Sequence, residues 1–424
     1  MKNYILTERA NLFEPNDYIN FLVELDGNPD ADELVSAVKA AFEANEAAMS
    51  KVVLESDGSA FYEKLQECGC KVSVSSGDWR EIVRENEKVP FAIDRGEMVR
   101  VFVIRNGEES SLLIMSHHLT GDGKSMLCFI EDIMRALSGE KLEYKPMNLI
   151  TRESLPRKSQ LPLAVKCYTK VLNRKWNRHR KAFTWDDYYS VHSKYWSKHD
   201  SQIICESFSE AELEKIKNCA KAAGVSVNSY IAAAFLRENR NKGSLGIPVS
   251  VRSISDKSMS NLTSGISVEY TYSDKKSFEQ NAKDLHDAIQ HKLQSPVMRY
   301  FVLQFMLLLS PSLVDAVLMY THGLYNTKTV KKAAGVMGYV GKSKREMGIT
   351  NLTQIDIPTQ YDSYKIKNIT FVPPAVSYAR NIIGISTLNG KMTVTYHFMG
   401  SFEEYAQQDF FSRGIMNLRQ CGRL

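Results

Sequence analysis

An apolar run that ends in two adjacent histidines is the feature that most limits how this chain can fold. The run SLLIM, residues 111–115, leads into His117 and His118, and Asp122 and Gly123 follow shortly after. A short apolar run bounded by turn residues predicts a buried strand. Because a strand end supports a side chain rigidly, the turn after this strand is predicted to carry function.

The flanking residues predict what surrounds that turn. Asn106 and Gly107 lie between two apolar runs, which is a strong signal for a β-hairpin. Residues 124–139 carry apolar side chains at helical spacing and end in a glycine. The histidines are therefore predicted to lie where a hairpin strand gives way to a helix.

The rest of the chain alternates between predicted strands and predicted helices. A capping box at Ser209 and Glu212 begins a helix of a second half, and Asn389 and Gly390 predict another hairpin. Because 424 residues exceed one ordinary core, we expect two α/β lobes, residues 1–180 and 181–424. The tight turns predict mixed or antiparallel pairing in each sheet.

The two histidines suit acid–base chemistry. A neutral imidazole can take a proton from a hydroxyl or an amine near neutral pH. Since neighbouring strand residues point to opposite sides, only one of His117 and His118 is expected to face a reaction. The Asp122 carboxylate could orient that ring or brace the loop, and Gly123 allows a tight backbone.

A metal site and a serine nucleophile are weaker interpretations of the same residues. Two histidines at adjacent strand positions cannot easily bind one ion, and no third ligand follows nearby. The G-x-S-x-G pattern of serine hydrolases is absent. We therefore expect no bound metal.

The stretch HHLTGDG resembles the HHxxxDG motif of the superfamily of condensation domains and CoA-dependent acyltransferases, which includes chloramphenicol acetyltransferase and alcohol acetyltransferases. Looser similarities cover nearly the whole chain: the segment leading into the histidines, IPVSVRS followed by SNLTSGISVEY, and GITNLTQIDIP. Ser250 stands where relatives often carry Asp. Thr350 begins a Thr-Asn-Leu-Thr segment where relatives often have Ser-Asn-x-Gly. The DFGWG motif of the plant branch is absent.

The resemblance implies a fold of two chloramphenicol acetyltransferase-like lobes, each a mixed sheet with helices, forming a V around a central tunnel. It implies that His118 is the catalytic histidine and that His117 is structural. It implies that Asp122 is braced by Arg252 in a buried ion pair, with Gly123 shaping the turn. Thr350 and Asn351 could contact the oxyanion or the substrate.

The same resemblance implies an acyltransferase that moves an acyl group from a pantetheine thioester to an alcohol or amine. Acyl-CoA or a phosphopantetheine thioester would be a co-substrate, with no permanently bound cofactor. The partners would be a small-molecule acceptor and, in one version, an acyl or peptidyl carrier protein acting in trans. The alternatives are a non-catalytic, condensation-like binding module and a membrane-associated lipid acyltransferase.

Composition limits the other classes. The chain has 54 Lys+Arg and 49 Asp+Glu, and the resulting net charge of +5 does not predict nucleic-acid binding. The 7 cysteines have neither disulfide nor zinc spacing, and the first residues contain no apolar signal core. These features predict a reducing, cytoplasmic compartment. We also expect the chain to be a monomer.

Two segments left alternatives open. Residues 301–320 are about as long as a bilayer span, but Gln304, Pro311 and Asp315 interrupt them, so buried helices broken near Pro311 are predicted in place of membrane contact.

Residues 170–185 are basic and include two tryptophans. A solvated helix face is expected there, with nucleic acid or an anionic surface as the alternative.

Overall fold

The computed structural model describes residues 2–107, 109–239, 243–340, 345–376, 379–400 and 404–422. The strands are β1 (Asn3–Tyr4), β2 (Tyr18–Asp26), β3 (Ser50–Leu54), β4 (Ala60–Lys64), β5 (Lys71–Ser75), β6 (Val99–Asn106), β7 (Glu109–His117), β8 (Asp200–Phe208), β9 (Gly243–Ser250), β10 (Thr263–Tyr270), β11 (Arg345–Gln354), β12 (Gln360–Tyr361), β13 (Tyr364–Val372), β14 (Ala379–Leu388) and β15 (Lys391–Gly400). The helices are α1 (Ala31–Ala44), α2 (Trp79–Glu87), α3 (Gly123–Leu137), α4 (Leu163–Asn177), α5 (Trp185–Trp196), α6 (Glu210–Ala222), α7 (Val227–Leu236), α8 (Phe278–Gln294), α9 (Pro296–Arg299), α10 (Phe301–Met306), α11 (Pro311–Thr321), α12 (Lys328–Val336) and α13 (Glu404–Arg419).

The local signals form the elements that they predict. Ser209 caps α6 in a capping box with Glu212, as predicted. The Asn106 turn joins β6 to β7, and the Asn389 turn joins β14 to β15. The helix predicted after the histidines is confirmed as α3. Short-range hydrogen bonds decide all of these features, so a short stretch of sequence suffices to predict them.

Two six-stranded sheets form the frame of the molecule. The first has the order β12-β13-β2-β7-β6-β5, and its β5–β6 pair is parallel while the other pairs are antiparallel. The second has the order β10-β9-β11-β14-β15-β8, in which β11 runs parallel to both β9 and β14. The predicted α/β class with mixed sheets is confirmed.

Strands from the last quarter of the sequence complete the first sheet, although the predicted first lobe ended at residue 180. Strand β13 pairs with β2, with Phe371 opposite Phe21. Helices α11 and α12 also pack in the core of the first sheet, through Leu313, Val317 and Val330. Apolar periodicity marks a strand but does not say which sheet it joins, so the sequence could not place this exchange. The boundary itself stays a prediction.

The apolar segment at residues 301–320 is folded into the protein. It forms α10 and most of α11, and α11 begins at Pro311 as predicted. No single helix in the described ranges is long and apolar enough to cross a bilayer. The pair α6 and α7, bent by 93°, has that length and composition only when the two are taken together.

A buried ion pair joins α2 to the second sheet away from the histidine turn. Glu87 at the end of α2 has one oxygen 3.4 Å from His397 Nε2 of β15, and its other oxygen accepts a hydrogen bond from Ser201 at 2.7 Å. Burial alone would lower the pKa of His397, but the Glu87 carboxylate and the Pro373 carbonyl outweigh it, so this pKa is raised. Protonation of His397 is therefore more favourable in the folded state than for an ordinary imidazole.

We predict that Glu87→Gln destabilises the protein more at pH 6 than at pH 9. A histidine whose folded pKa is raised contributes stability below its unfolded pKa and loses it as the pH rises through the folded value. Breaking a buried pair costs roughly 3–5 kcal/mol. Urea unfolding at both pH values measures the difference. Asp132→Asn, which removes a buried carboxylate bound to Lys145, should cost the same at both. An equal cost of Glu87→Gln at both pH values would show that His397 is neutral in the fold.

Candidate active site

The histidine turn lies where the first sheet meets the second. Strand β7 ends at His117, and α3 begins after Asp122, whose side chain caps the helix through Ser125 N at 2.9 Å. The backbone N–H of His118 donates to Asp17 O at 2.9 Å, which continues the pairing of β7 with β2. The turn is thus fixed at both ends by regular structure.

His117 is fully buried beneath the turn. Its ring lies against Tyr18, with centroids 5.8 Å apart, and against Phe91 at 6.1 Å. Its Nδ1 accepts a hydrogen bond from Leu119 N at 3.3 Å, while Nε2 has no partner. Burial lowers the pKa of His117 to about 3, so the ring stays neutral. It anchors the turn from beneath.

His118 is half-buried and points across to the second sheet. Its Nδ1 lies 3.3 Å from Asn261 Nδ2, and the other atom of that amide, Oδ1, is buried without a partner. Amide oxygen and nitrogen can be exchanged by a half-turn of the side chain. In that orientation Asn261 Oδ1 accepts the Nδ1 proton of His118, and Nε2 keeps the lone pair of a base.

The charge state of His118 is set by opposing effects. Burial lowers the pKa of its imidazole below the usual value. The backbone carbonyls of His118 and Gly121 and the carboxylates of Asp122 and Glu8 oppose that effect but do not cancel it. At neutral pH the ring is uncharged, and the acceptors around it would stabilise the imidazolium once a proton is taken up.

Glu8 is a buried carboxyl group that the sequence pattern did not indicate. Its Oε1 is buried without a hydrogen-bond partner, and burial raises the pKa of Glu8 to about 7. It lies near His118 and Tyr62, because its charge acts on the pKa of both. The hydroxyl of Tyr62 donates to Leu119 O at 2.8 Å, directly beside His118.

A second buried carboxyl lies opposite the histidine. Tyr18 pairs with His117 across the sheet, so Asp17 lies opposite His118. Asp17 is almost fully buried, and burial raises its pKa well above the usual value. A second buried acidic residue from the first 17 residues is therefore paired through its backbone with His118. No motif marks Glu8 or Asp17, since neither is close to His118 in sequence.

Asp122 binds the second sheet and not the His118 ring. Its carboxylate lies 3.3 and 3.4 Å from Arg252 Nη2. It also accepts hydrogen bonds from Leu262 N at 2.9 Å and from Thr263 Oγ1 at 3.0 Å. These contacts correspond to bracing of the loop, one of the two roles that the sequence left open.

Arg252 is held in turn by its own loop. Its Nη1 donates to Asp256 Oδ1 at 3.0 Å, and its Nη2 donates to Ser260 O at 2.6 Å. Arg252 lies two residues beyond β9, and Leu262 immediately precedes β10. Asp122 and Arg252 together therefore fix the loop between these strands against the histidine turn.

Gly123 lies where the two halves approach most closely. A Cβ atom on Gly123 would be 2.7 Å from Leu352 Cδ2 of β11, closer than ordinary contact. Glycine therefore lets the start of α3 pack directly on β11.

Thr350 and Asn351 lie on the same strand as Leu352 and are half-buried. Alternate strand residues share a face, so Thr350 is on the side of Leu352 and faces the histidine turn. Asn351 Oδ1 accepts a hydrogen bond from Thr353 N at 2.7 Å, where Thr353 has a φ of 63°. No hydrogen bond joins either residue to His118 in the described ranges. Their substrate contacts stay a prediction.

Among the described residues, the side chains around His118 do not form a metal-binding cluster. Within the described ranges, no group of three or more His, Cys, Asp or Glu side chains is arranged to hold a metal ion. Each of the hydrogen-bonding groups around His118 is instead an amide, a carbonyl or a carboxyl group. The arrangement can hold and move one proton.

No protein-family profile matches the chain. A curated relative, bacitracin synthase 2 from Bacillus licheniformis, is 27% identical over 165 residues. That match covers 37% of this chain and 6% of the synthase, so the chain spans a small part of the curated relative that it matches.

Solved structures match almost the whole chain. Trichothecene 15-O-acetyltransferase from Fusarium sporotrichioides aligns with a TM-score of 0.64 at 12% identity, covering 98% of this chain and 94% of that one. The first condensation domain of the calcium-dependent antibiotic synthetase, solved with a substrate analogue, aligns at 0.62 and 12%, covering 98% and 93%. Polyketide synthase associated protein 5 from Mycobacterium tuberculosis aligns at 0.60 and 12%, covering 99% and 97%. At these identities the likeness is one of fold, and it confirms the predicted two-lobed condensation-domain architecture.

We predict that Asp122→Ala lowers the free energy of unfolding by roughly 3–5 kcal/mol, because the buried Arg252 guanidinium loses one of its two carboxylate partners. Differential scanning calorimetry and urea unfolding measure the loss. Asp256→Ala is the matched control, since it removes the other carboxylate on the same guanidinium without touching the start of α3. It should cost less. An Asp122→Ala protein that unfolds like the parent would contradict the bracing role.

Proposed function

We propose that this chain, which has the two-lobed fold of condensation domains and of an acetyltransferase, moves an acyl group from a pantetheine thioester to an alcohol or amine. The observation that carries the proposal is the state of His118. Its imidazole is neutral, is fixed at the junction of the two sheets, and has its Nδ1 beside Asn261 so that Nε2 is left for a proton. A thioester is already activated, so one base and oxyanion stabilisation suffice.

The reaction follows from the position of that one base. His118 Nε2 takes the proton of the acceptor O–H or N–H while the oxygen or nitrogen attacks the thioester carbonyl. The carbon–oxygen double bond becomes a tetrahedral oxyanion. As the oxyanion collapses, the carbon–sulfur bond breaks, and the thiolate takes the proton from the imidazolium. The products are an ester or amide and a free thiol, and His118 returns to its neutral state.

Other residues of the site support this chemistry. The Thr350 hydroxyl, on the face of β11 that meets the histidine turn, is the proposed donor to the oxyanion. Asp122 and Arg252 keep the turn at a fixed distance from the second sheet. The Glu8 carboxylate stabilises the imidazolium that forms during the proton transfer.

Two donors fit the proposal, and the experiment separates them. One is acyl-CoA with a small diffusible acceptor in the tunnel that the fold implies. The other is an acyl or peptidyl carrier protein acting in trans. The similarity to one segment of bacitracin synthase 2 keeps the carrier version open. A protein that only binds such thioesters would be the non-catalytic alternative.

We predict that His118→Ala lowers acceptor-dependent thiol release by at least about 100-fold, the usual contribution of a general base. Thiol release from a panel of acyl-CoAs, with mixed alcohols and amines, measures it. His291→Ala, on the exposed side of α8, is the control and should match the parent.

Near-normal release by a folded His118→Ala protein would exclude the general base. Release from acyl-pantetheine carried on a carrier protein, but from no acyl-CoA, would assign the carrier as donor. Binding without release would support the non-catalytic module.

We predict that Glu8→Gln moves the acidic limb of the kcat/KM profile to lower pH. In the parent, protonation of Glu8 near pH 7 removes the negative neighbour of the imidazolium, so activity falls below that pH. In the variant only His118 titrates, and its pKa is lowered by burial. The plateau should drop by up to about tenfold, the effect of one pKa unit of charge interaction.

Two other groups near this pair, His117 and Tyr62, do not titrate near pH 7. The pKa of His117 is about 3, and that of Tyr62 is raised well above its usual value. Glu279→Gln is the control, because this carboxylate is exposed in the first turn of α8 and outside the histidine turn. If the acidic limb of the kcat/KM profile stays at the same pH in Glu8→Gln as in the parent, and only the plateau is reduced, Glu8 is a purely structural residue.

A further inference from the structure

Two segments far apart in sequence form a cationic surface on the side of the molecule where α4 and α12 pack together. Residues 154–185 contain nine lysines and arginines and no acidic residue. Residues 288–340 contain one acidic residue, Asp315, which is buried against Arg9. We define the α4–α12 face as the exposed side chains of these two helices.

The face is held rigidly by the inner side of α4. Trp176 Nε1 donates to Ser312 Oγ at 3.0 Å, and Asn173 Nδ2 donates to Leu308 O at 2.8 Å. Tyr325, just before α12, packs edge-on against Trp176 with centroids 6.1 Å apart. The outer side of α4 is therefore presented in one orientation, although it contributes nothing to these contacts.

The cations on this face have no carboxylate partners. Lys170, Arg174 and Arg178 are exposed at helical spacing along the outer side of α4. Lys331 and Lys332 are exposed on α12. Within the described ranges none of these five forms an ion pair, although ion pairs are frequent elsewhere on the surface. Their positive field is therefore not neutralised within the chain.

Apolar side chains lie among these cations on the same helix. Leu163 is 75% exposed, Val171 46% and Tyr168 42%. Leu163 and Val171 share the outer side with Lys170 and Arg174, because residues three, four, seven or eight positions apart fall on one face of a helix. An acidic protein or a nucleic acid would pair with the cations but would leave these apolar groups uncovered or only partly covered.

We propose that the α4–α12 face binds an anionic phospholipid surface. Helices that lie at a membrane interface combine lysines and arginines with exposed apolar side chains that enter the boundary of the acyl chains. Each cation near an anionic bilayer adds to the attraction. The proposal needs no membrane-spanning helix, and it is independent of the chemistry at His118.

The experiment uses the full chain and vesicles of phosphatidylglycerol with phosphatidylcholine, compared with vesicles of phosphatidylcholine alone. Co-sedimentation measures binding of the parent and of the double variant Lys170→Glu, Arg174→Glu. Lys221→Glu, Lys275→Glu is the matched control, because these exposed lysines lie outside the face and form no ion pair in the described ranges. Thermal unfolding checks that each variant is folded.

We expect the parent to bind the anionic vesicles and not the neutral ones. The Lys170 and Arg174 variant should lose about tenfold or more of its partition coefficient, since each cation contributes roughly fivefold. The control variant should bind nearly as well as the parent. Equal losses in the two variants would mean that only net charge matters and would overturn the proposal.

Cys167 provides a direct readout of the contact. It is exposed on the outer side of α4, whereas the other cysteines are buried or half-buried. An environment-sensitive fluorophore on Cys167 should shift to shorter wavelength when anionic vesicles are added. Sedimentation without this shift would place the contact elsewhere and overturn the proposal. So would absence of vesicle binding together with retention on immobilised polyglutamate, which would assign the face to an acidic protein.

Discussion

The Asp122 carboxylate is the interaction on which the rest of the site depends. It caps α3 within the first lobe and accepts hydrogen bonds from Arg252, Leu262 and Thr263 in the second. One buried charge therefore fixes the end of a strand, the start of a helix and the distance between two sheets. Because the Asp122 carboxylate has partners on both sheets, the histidine turn has little freedom to move. The carboxylate is thereby unavailable to the His118 ring, which is oriented by other groups.

The two adjacent histidines differ in burial and in the groups around their rings. His117 lies inside an aromatic cluster, where burial keeps it neutral and fixed. His118 is one residue further along, at the surface of the junction between the sheets, where Asn261 and a neighbouring carboxyl group can respond to its charge. The same side chain is structural in one position and suited to proton transfer in the next, because the desolvation cost of the imidazolium is compensated only at the second.

The exchange of elements between the halves shapes both the site and the outer surface. Strand β13 lies between β12 and β2 in the first sheet, and the chain then continues to β14 of the second sheet. The two sheets therefore cannot separate without breaking strand pairing. Helices α11 and α12 return to the first core, and α12 carries its lysines to the side of α4. The cationic face is a product of that return, since neither segment is unusual enough alone to predict it.

The sequence by itself determined the local elements and the residues of the motif. Asn-Gly turns, a capping box and apolar spacing predicted the hairpins and helices that form, because each is decided by contacts within a few residues. The resemblance carried by HHLTGDG predicted the fold and named Asp122 and Arg252. Only the tertiary structure decided what lies around them. Glu8 lies near the imidazole although the two are more than 100 residues apart in sequence, and β13 joins the first sheet by pairing with β2. Contacts of that range come from packing the whole chain, and no short pattern encodes them.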